Sequence, residues 1–288
     1  MIQKFLSIYL IGMLFIQSSF AQTNARTDCN TIFICIDSVS YNELFTNRYF
    51  KDTLFICKVE KNETNIESYT GKYLIGKSAT LEFFKPKNDK NFGNTLGDLG
   101  IEFKTRKLGS LDLIFKNATK NNIKTDTLTT LKKDDGKTFA WYKTVAIKKN
   151  NLELSVLEYQ RECLKRLGFS ESEIDSEMTY EAFNSYLSNG KKYPRQFDKI
   201  KSISIEINKN QLKALQQFCQ LNEMKKRGDS FFNNDFEIAF KTNKTVDKII
   251  LKSIDIQLIE TQPEKEIQVS QKIKIIVKDK KAQILFLK

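Results

Sequence analysis

The stretch Thr31-Ile32-Phe33-Ile34-Cys35-Ile36-Asp37-Ser38-Val39-Ser40-Tyr41-Asn42-Glu43-Leu44-Phe45 decides the fold. Its first half is a short apolar run that reads as a strand. Its second half opens a helix: Ser40 with Glu43 fits a capping box, and Ser38 or Asp37 are the alternative caps. Beyond it, alternation predicts strands over 53–60, 69–75 and 79–84, the last two joined by a tight Gly76-Lys77-Ser78 turn. Pro86 and the Asn/Asp/Gly-rich stretch 88–97 read as a loop. The unit is βαβββ.

The same order follows at once. Leu99 to Phe103 is a short strand, and 108–119 has helical spacing in Leu111, Ile114 and Phe115. Strands are expected over 125–131, 139–147 and 152–159, the last two across Lys148-Lys149-Asn150-Asn151. Each unit ends in a strand with a glutamate among apolar neighbours: Thr80-Leu81-Glu82-Phe83-Phe84 and Asn151-Leu152-Glu153-Leu154-Ser155. A helical connector occupies 164–189, opened by the capping box Ser170-Glu171-Ser172-Glu173, with Tyr180, Phe183 and Leu187 on one packing face before Gly190. The third segment repeats βα over 202–221. Strands are then expected over 236–240, 248–259, 267–277 and 283–287, with a final hairpin turn at 278–281. It reads as a divergent third copy; a separate partner-binding domain is the alternative.

The fold expected is therefore α+β, built from repeated βαβββ modules with curved mixed sheets. The division is 1–21 a signal peptide, 22–160 the paired modules, 161–198 the helical connector, and 199–288 a third α+β module packing on the rest. Lys4, the apolar run from Phe5 to Ile16 and Ser19-Phe20-Ala21 have the three parts of a secretory signal, with cleavage before Gln22. The run is short for a transmembrane anchor, and no later stretch reaches the ~18 apolar residues of a spanning helix. Export to the periplasm or exterior follows.

Composition closes several classes. The 288 residues include no histidine, which removes Cys-His nucleophiles, Ser-His-Asp triads and histidine metal sites. The net charge of +12 comes from scattered lysines, including doublets at turns, so a solvated lysine surface is expected rather than nucleic-acid binding. Five cysteines without CxxC spacing argue against zinc; one or two disulfides are open to an exported chain, although Cys35 and Cys57 lie in apolar strands that suit buried thiols.

Ile32 to Tyr41, Tyr69-Thr70-Gly71-Lys72-Tyr73-Leu74-Ile75-Gly76, Leu81-Glu82-Phe83-Phe84-Lys85-Pro86 and Gly97-Asp98-Leu99-Gly100-Ile101 resemble an uncharacterised family of exported bacterial proteins. That family's fold is similar to the glyoxalase, or vicinal oxygen chelate, superfamily. The resemblance implies two βαβββ modules curled around a cleft, and a divalent metal held from the first and last strands of each module. It would place Glu82 and Glu153 at the last-strand positions and Thr31, beside Asn30, at the first. In the second module only Asp98 and Glu102 offer oxygen near the matching position. Carboxylates alone would favour a hard cation such as calcium, magnesium or manganese.

The cleft candidates are thus Thr31, Tyr73, Glu82, Tyr142 and Glu153. The alternative for Glu82 is an outward salt bridge to Lys72 or Lys77, and Lys148 and Lys149 lie close to Glu153. Tyr73 and Tyr142 hold equivalent strand places in the two modules. Trp141 alternates with Tyr142 and is expected in the core, and Asp37 is expected to cap its helix. The leading expectation is a monomeric binder of a small ligand, anionic if the lysines steer it, with no cofactor and no catalytic residue assigned. The alternatives are a hard-metal or general acid/base enzyme using Glu82 and Glu153, and a structural or protein-interaction module.

Overall fold

The computed structural model describes residues 25–88, 91–187 and 195–287; the expected signal peptide and Gly190 lie outside them. The first module is β1 (Thr27–Cys35), α1 (Ser38–Glu43), β2 (Ile56–Thr64), β3 (Ser68–Ile75) and β4 (Thr80–Phe84). Asp37 caps α1, accepting from the amides of Val39 and Ser40. The start of the strand expected at 53–60 is instead a π-helical turn, Phe50–Leu54, whose Phe50 and Leu54 are fully buried. The second module is β5 (Leu99–Thr105), α2 (Leu111–Lys120), β6 (Asp126–Asp134), β7 (Lys137–Lys149) and β8 (Leu152–Tyr159). In α2 the buried stripe is Leu111, Ile114 and Ala118; Phe115, expected on it, is exposed.

The eight strands close into a barrel of order β1-β4-β3-β2-β6-β7-β8-β5. Within each module the first and last strands pair in parallel, β1 with β4 and β5 with β8. The modules join by antiparallel pairing of β1 with β5 and β2 with β6. This is the glyoxalase-like arrangement, with no free edge left in the barrel.

The connector forms three short helices, α3 (Arg161–Arg166), α4 (Glu171–Asp175) and α5 (Tyr180–Leu187). Ser170 and Glu173 make the reciprocal capping box over α4. Phe169, Tyr180, Phe183, Tyr186 and Tyr159 then stack into a small satellite core.

The third segment is β9 (Phe197–Ile207), α6 (Lys209–Leu221), β10 (Lys225–Arg227), β11 (Ser230–Phe232), β12 (Glu237–Thr242), β13 (Ile250–Ser270) and β14 (Ile273–Phe286). Its order, β10-β11-β12-β9-β13-β14, contains the module again: β9-β12-β11-β10 matches β1-β4-β3-β2, with β9 parallel to β12. On the other flank of β9, where β1 meets β5, a long hairpin stands in for a fourth module. That hairpin turns at 271–272, between Ser270 and Ile273. The turn expected at 278–281 and the break expected after 259 are both mid-strand.

One side chain ties this segment to the barrel. Asn151, buried at the start of β8, donates to the carbonyls of Gly97 (2.6 Å) and Ile249 (3.3 Å). Its oxygen accepts from the Ile249 amide (2.8 Å) and from Gln211 Nε2 (3.2 Å). Asn151→Ala leaves these buried groups unpaired and is expected to cost about 2 kcal/mol, read as a drop in urea midpoint at unchanged m-value. A loss below about 0.5 kcal/mol would show that water replaces the side chain.

All five cysteines are free thiols, so no disulfide is formed. Cys35, Cys163 and Cys219 are buried as small apolar residues, and burial pushes the Cys35 thiol up to about 12.

Candidate functional site

Strand alternation sends one set of side chains outward to the helices and the other into the barrel. On β4, Leu81 and Phe83 face outward and are fully buried there, while Glu82 and Phe84 face in. Inward residues from all eight strands enclose a chamber of about 360 Å3, within the ~300–1,000 Å3 typical of small-molecule sites. Phe33 enters it because Gly100 lies directly opposite: a Cβ on Gly100 would stand 1.9 Å from the Phe33 ring.

All five sequence candidates, Thr31, Tyr73, Glu82, Tyr142 and Glu153, line this one chamber. The outward alternative for Glu82 is excluded: Lys72 donates to the Tyr41 and Asn42 carbonyls, and Lys77 pairs with Glu181. Glu153 is paired with Lys148 at 2.8 Å. Asp98, the other oxygen offered by the second module, is spent on the loop, accepting from the amides of Gly93 and Thr95.

Other lining residues escaped the sequence reading. Trp141, expected in the core, lines the chamber beside Tyr142. The register passes from Thr130↔Tyr142 to Leu131↔Ala140, so Trp141 is the extra residue of a β-bulge and alternation fails there. A second bulge between Cys29 and Thr31 likewise turns both Asn30 and Thr31 inward. Glu102, offered by the sequence as an oxygen ligand but not as a cleft candidate, lines the chamber too, between Ile101 and Phe103 as Glu82 lies between Leu81 and Phe83. Glu60, Asn62 and Thr64 alternate inward on β2, and Tyr180 reaches in from the connector, its hydroxyl 3.1 Å from Thr80 Oγ1.

The carboxyl groups divide in two. Burial pushes Glu60 up, but Lys58 at 2.8 Å and Lys132 at 3.5 Å outweigh it and hold the group below its ordinary range. Glu67 likewise has Lys87 at 3.2 Å. Glu82 and Glu102 have no cationic partner among the described residues. Loss of water raises Glu82 to about 8, with repulsion from Glu60 adding to it. Glu102 is raised well above the carboxylate range by burial and then by Glu82 and Glu153, against one hydrogen bond from Asn30 Nδ2 (3.0 Å). Both groups keep some surface on a chamber that is open on one side, so water reaching it lessens the cost of ionising them without removing it.

Two acceptors are also left over. Asn30 Oδ1 and Asn62 Oδ1 are buried without a hydrogen-bond partner, as is Ser155 Oγ on the neighbouring β8 wall. The amide nitrogens are used, Asn30 on Glu102 and Asn62 on Tyr73 (3.2 Å). An interior this rich in acceptors opposes an anionic ligand; the lysines that suggested one lie outside or are already paired.

The divalent metal implied by the fold does not suit these side chains. With Glu153 engaged by Lys148, and Thr31 in place of a stronger ligand, no three His, Cys, Asp or Glu side chains among the described residues converge to hold an ion. No described helix is long and apolar enough to cross a membrane.

Solved structures with a similar course include a hypothetical protein from Staphylococcus aureus (11% identity, 84% of this chain and 95% of that one, TM-score 0.49). A Mn(II)-bound glyoxalase from Novosphingobium aromaticivorans is similar at 9% identity over 76% of this chain and 62% of that one, TM-score 0.40. An extradiol ring-cleaving dioxygenase from B. fuscum follows at 10% identity, 75% and 54%, TM-score 0.35. At these scores the fold assignment rests on the strand pairing described above. No curated protein matches the chain. Residues 29–286 match a family of unknown function, DUF5829, and the chain belongs to that family.

Proposed function

We propose that the protein is exported and holds a small molecule in the barrel chamber without a metal or cofactor. The observation that carries this is a chamber of about 360 Å3 whose buried amide oxygens, Asn30 Oδ1 and Asn62 Oδ1, lack partners. Buried polar atoms are costly when unmatched, and a bound ligand supplies the match. Tyr69, Tyr73, Phe84, Trp141, Tyr142 and Tyr159 give it flat apolar walls. A second reading, general acid catalysis, is favoured by Glu82, a carboxyl raised to about 8 beside a cavity. Its partner would be Glu102, since Glu153 is held by Lys148.

Native mass spectrometry of the mature, untagged protein tests the binding reading. We expect a chain beginning at Gln22 that carries one small organic mass, or takes one up from an extract of its medium, and loses it in Asn62→Leu. A chain that stays empty under both conditions would refute the reading.

A further inference from the structure

We propose that the chamber's ligand is a small organic ammonium compound, its N–H groups directed at Glu82, Glu102 and the free amide oxygens of Asn30 and Asn62. The inference rests on the binding reading above and narrows it to one chemical class.

Three independent features converge. First, the carboxylates beside lysines are already neutralised: Glu60 by Lys58 and Lys132, Glu67 by Lys87, Glu153 by Lys148. Of the three lining carboxylates that remain, Asp126 is exposed, which leaves Glu82 and Glu102, on the two strands that flank β1. Second, the unmatched buried amide atoms are oxygens. Each amide nitrogen is engaged, that of Asn30 on Glu102 and that of Asn62 on Tyr73, which leaves the oxygen as the atom to be matched. Third, the rings of Tyr69, Tyr73, Phe84, Tyr142 and Tyr159 line the same chamber as the two carboxyl groups. Ring faces attract a cation, more strongly out of water.

A ligand must therefore donate and must tolerate negative charge. An anion would face carboxyl groups with no free cation to offset them. A neutral polyol matches the amide oxygens but offers neither carboxyl group a positive partner. One ammonium group balances one carboxylate through charge-assisted hydrogen bonds, while the second carboxyl remains a hydrogen-bonding partner. The basic exterior opposes this only weakly, because charges on the outer surface are screened within roughly 8 Å at physiological salt.

The test uses two isosteric series on the mature full chain: benzylamine, benzyl alcohol and benzoate, and butylamine, butanol and butyrate, titrated by calorimetry. In at least one series the amine is expected to bind on the order of tenfold tighter than the alcohol, with the carboxylate weakest. Glu82→Gln should abolish that preference while leaving the alcohol's affinity within about twofold, since Glu82 is the less strongly raised of the two carboxyls and glutamine keeps its shape without the charge. Melting curves establish that the variant is folded, and Glu102→Gln is the second variant should Glu82→Gln misfold. If alcohols or carboxylates bind as well as amines, the ammonium assignment is wrong and the binding reading stands. If no member of either series binds, the assignment falls, and an empty mass spectrum would take the binding reading with it.

Discussion

Between pH 5 and pH 8 the protein is expected to lose stability, and Glu82→Gln to lose much less. Burial, with repulsion from Glu60, raises the Glu82 carboxyl from its ordinary 4.5 to about 8 in the folded chain. Below pH 4.5 both folded and unfolded forms carry the proton, and the group contributes nothing. Above it the unfolded chain releases the proton while the folded chain keeps it, so folding becomes steadily less favourable until the folded group ionises near pH 8. At 1.36 kcal/mol per pH unit the full span is about 5 kcal/mol; water admitted to the chamber reduces this, and about 3 kcal/mol is expected. Glu102, raised in the same direction, adds to the loss that remains in the single variant. Lys104 does not confuse the window: it is lowered to about 8, through burial first, so its own contribution changes only above that pH. Urea unfolding at pH 5, 6.5 and 8 measures the slopes. Parallel profiles for wild type and Glu82→Gln would mean that Glu82 is ionised throughout and the chamber is wet.

That expectation depends on one strand position, and such positions were readable wherever alternation was unbroken. Glu82 and Glu153 could be placed by alternation because each lies between apolar neighbours, Tyr73 and Tyr142 by their equivalent strand places in the two modules, and Thr31 through the resemblance. The failures have local causes. At Asn30 and Trp141 a bulge adds a residue to one strand, and the parity rule then assigns the wrong face. β10 and β11 hold three residues each, too few to show a period. In the terminal hairpin two polar runs face one another, Gln262 opposite Asp279 and Gln257 opposite Lys281. Each run alone looks like a turn; only their pairing makes them strand. Partner lysines are only partly legible in one dimension: Lys148 could be read beside Glu153, whereas Lys132 meets Glu60 and Lys87 meets Glu67 only in the fold, so the acidic interior of a basic protein emerged there.

The third module also raises a question that sequence left open, whether it is a domain of its own. Phe103 on β5 is fully buried, yet it faces away from the chamber. Its ring meets Phe218 of α6 at 5.1 Å and Phe236, just before β12, at 5.9 Å, both edge to face. Phe55 and Phe197 make a similar contact at 5.5 Å, and a single apolar cluster runs through the barrel and the third sheet. The outer face of the barrel is therefore the inner face of the whole protein. Phe103→Ala is expected to cost about 3–5 kcal/mol, the range for removing a buried phenylalanine that leaves a cavity. The loss should appear in one cooperative transition. Two probes separate the possibilities, because Trp141, the only tryptophan, reports on the barrel alone while far-ultraviolet circular dichroism reports on both parts. Coincident urea midpoints that move down together in Phe103→Ala show that module three is structurally part of the barrel's core. Midpoints that separate in the wild type, or a shift below about 1 kcal/mol, would make it an independent domain; the chamber would then owe its stability to the first two modules and the connector alone.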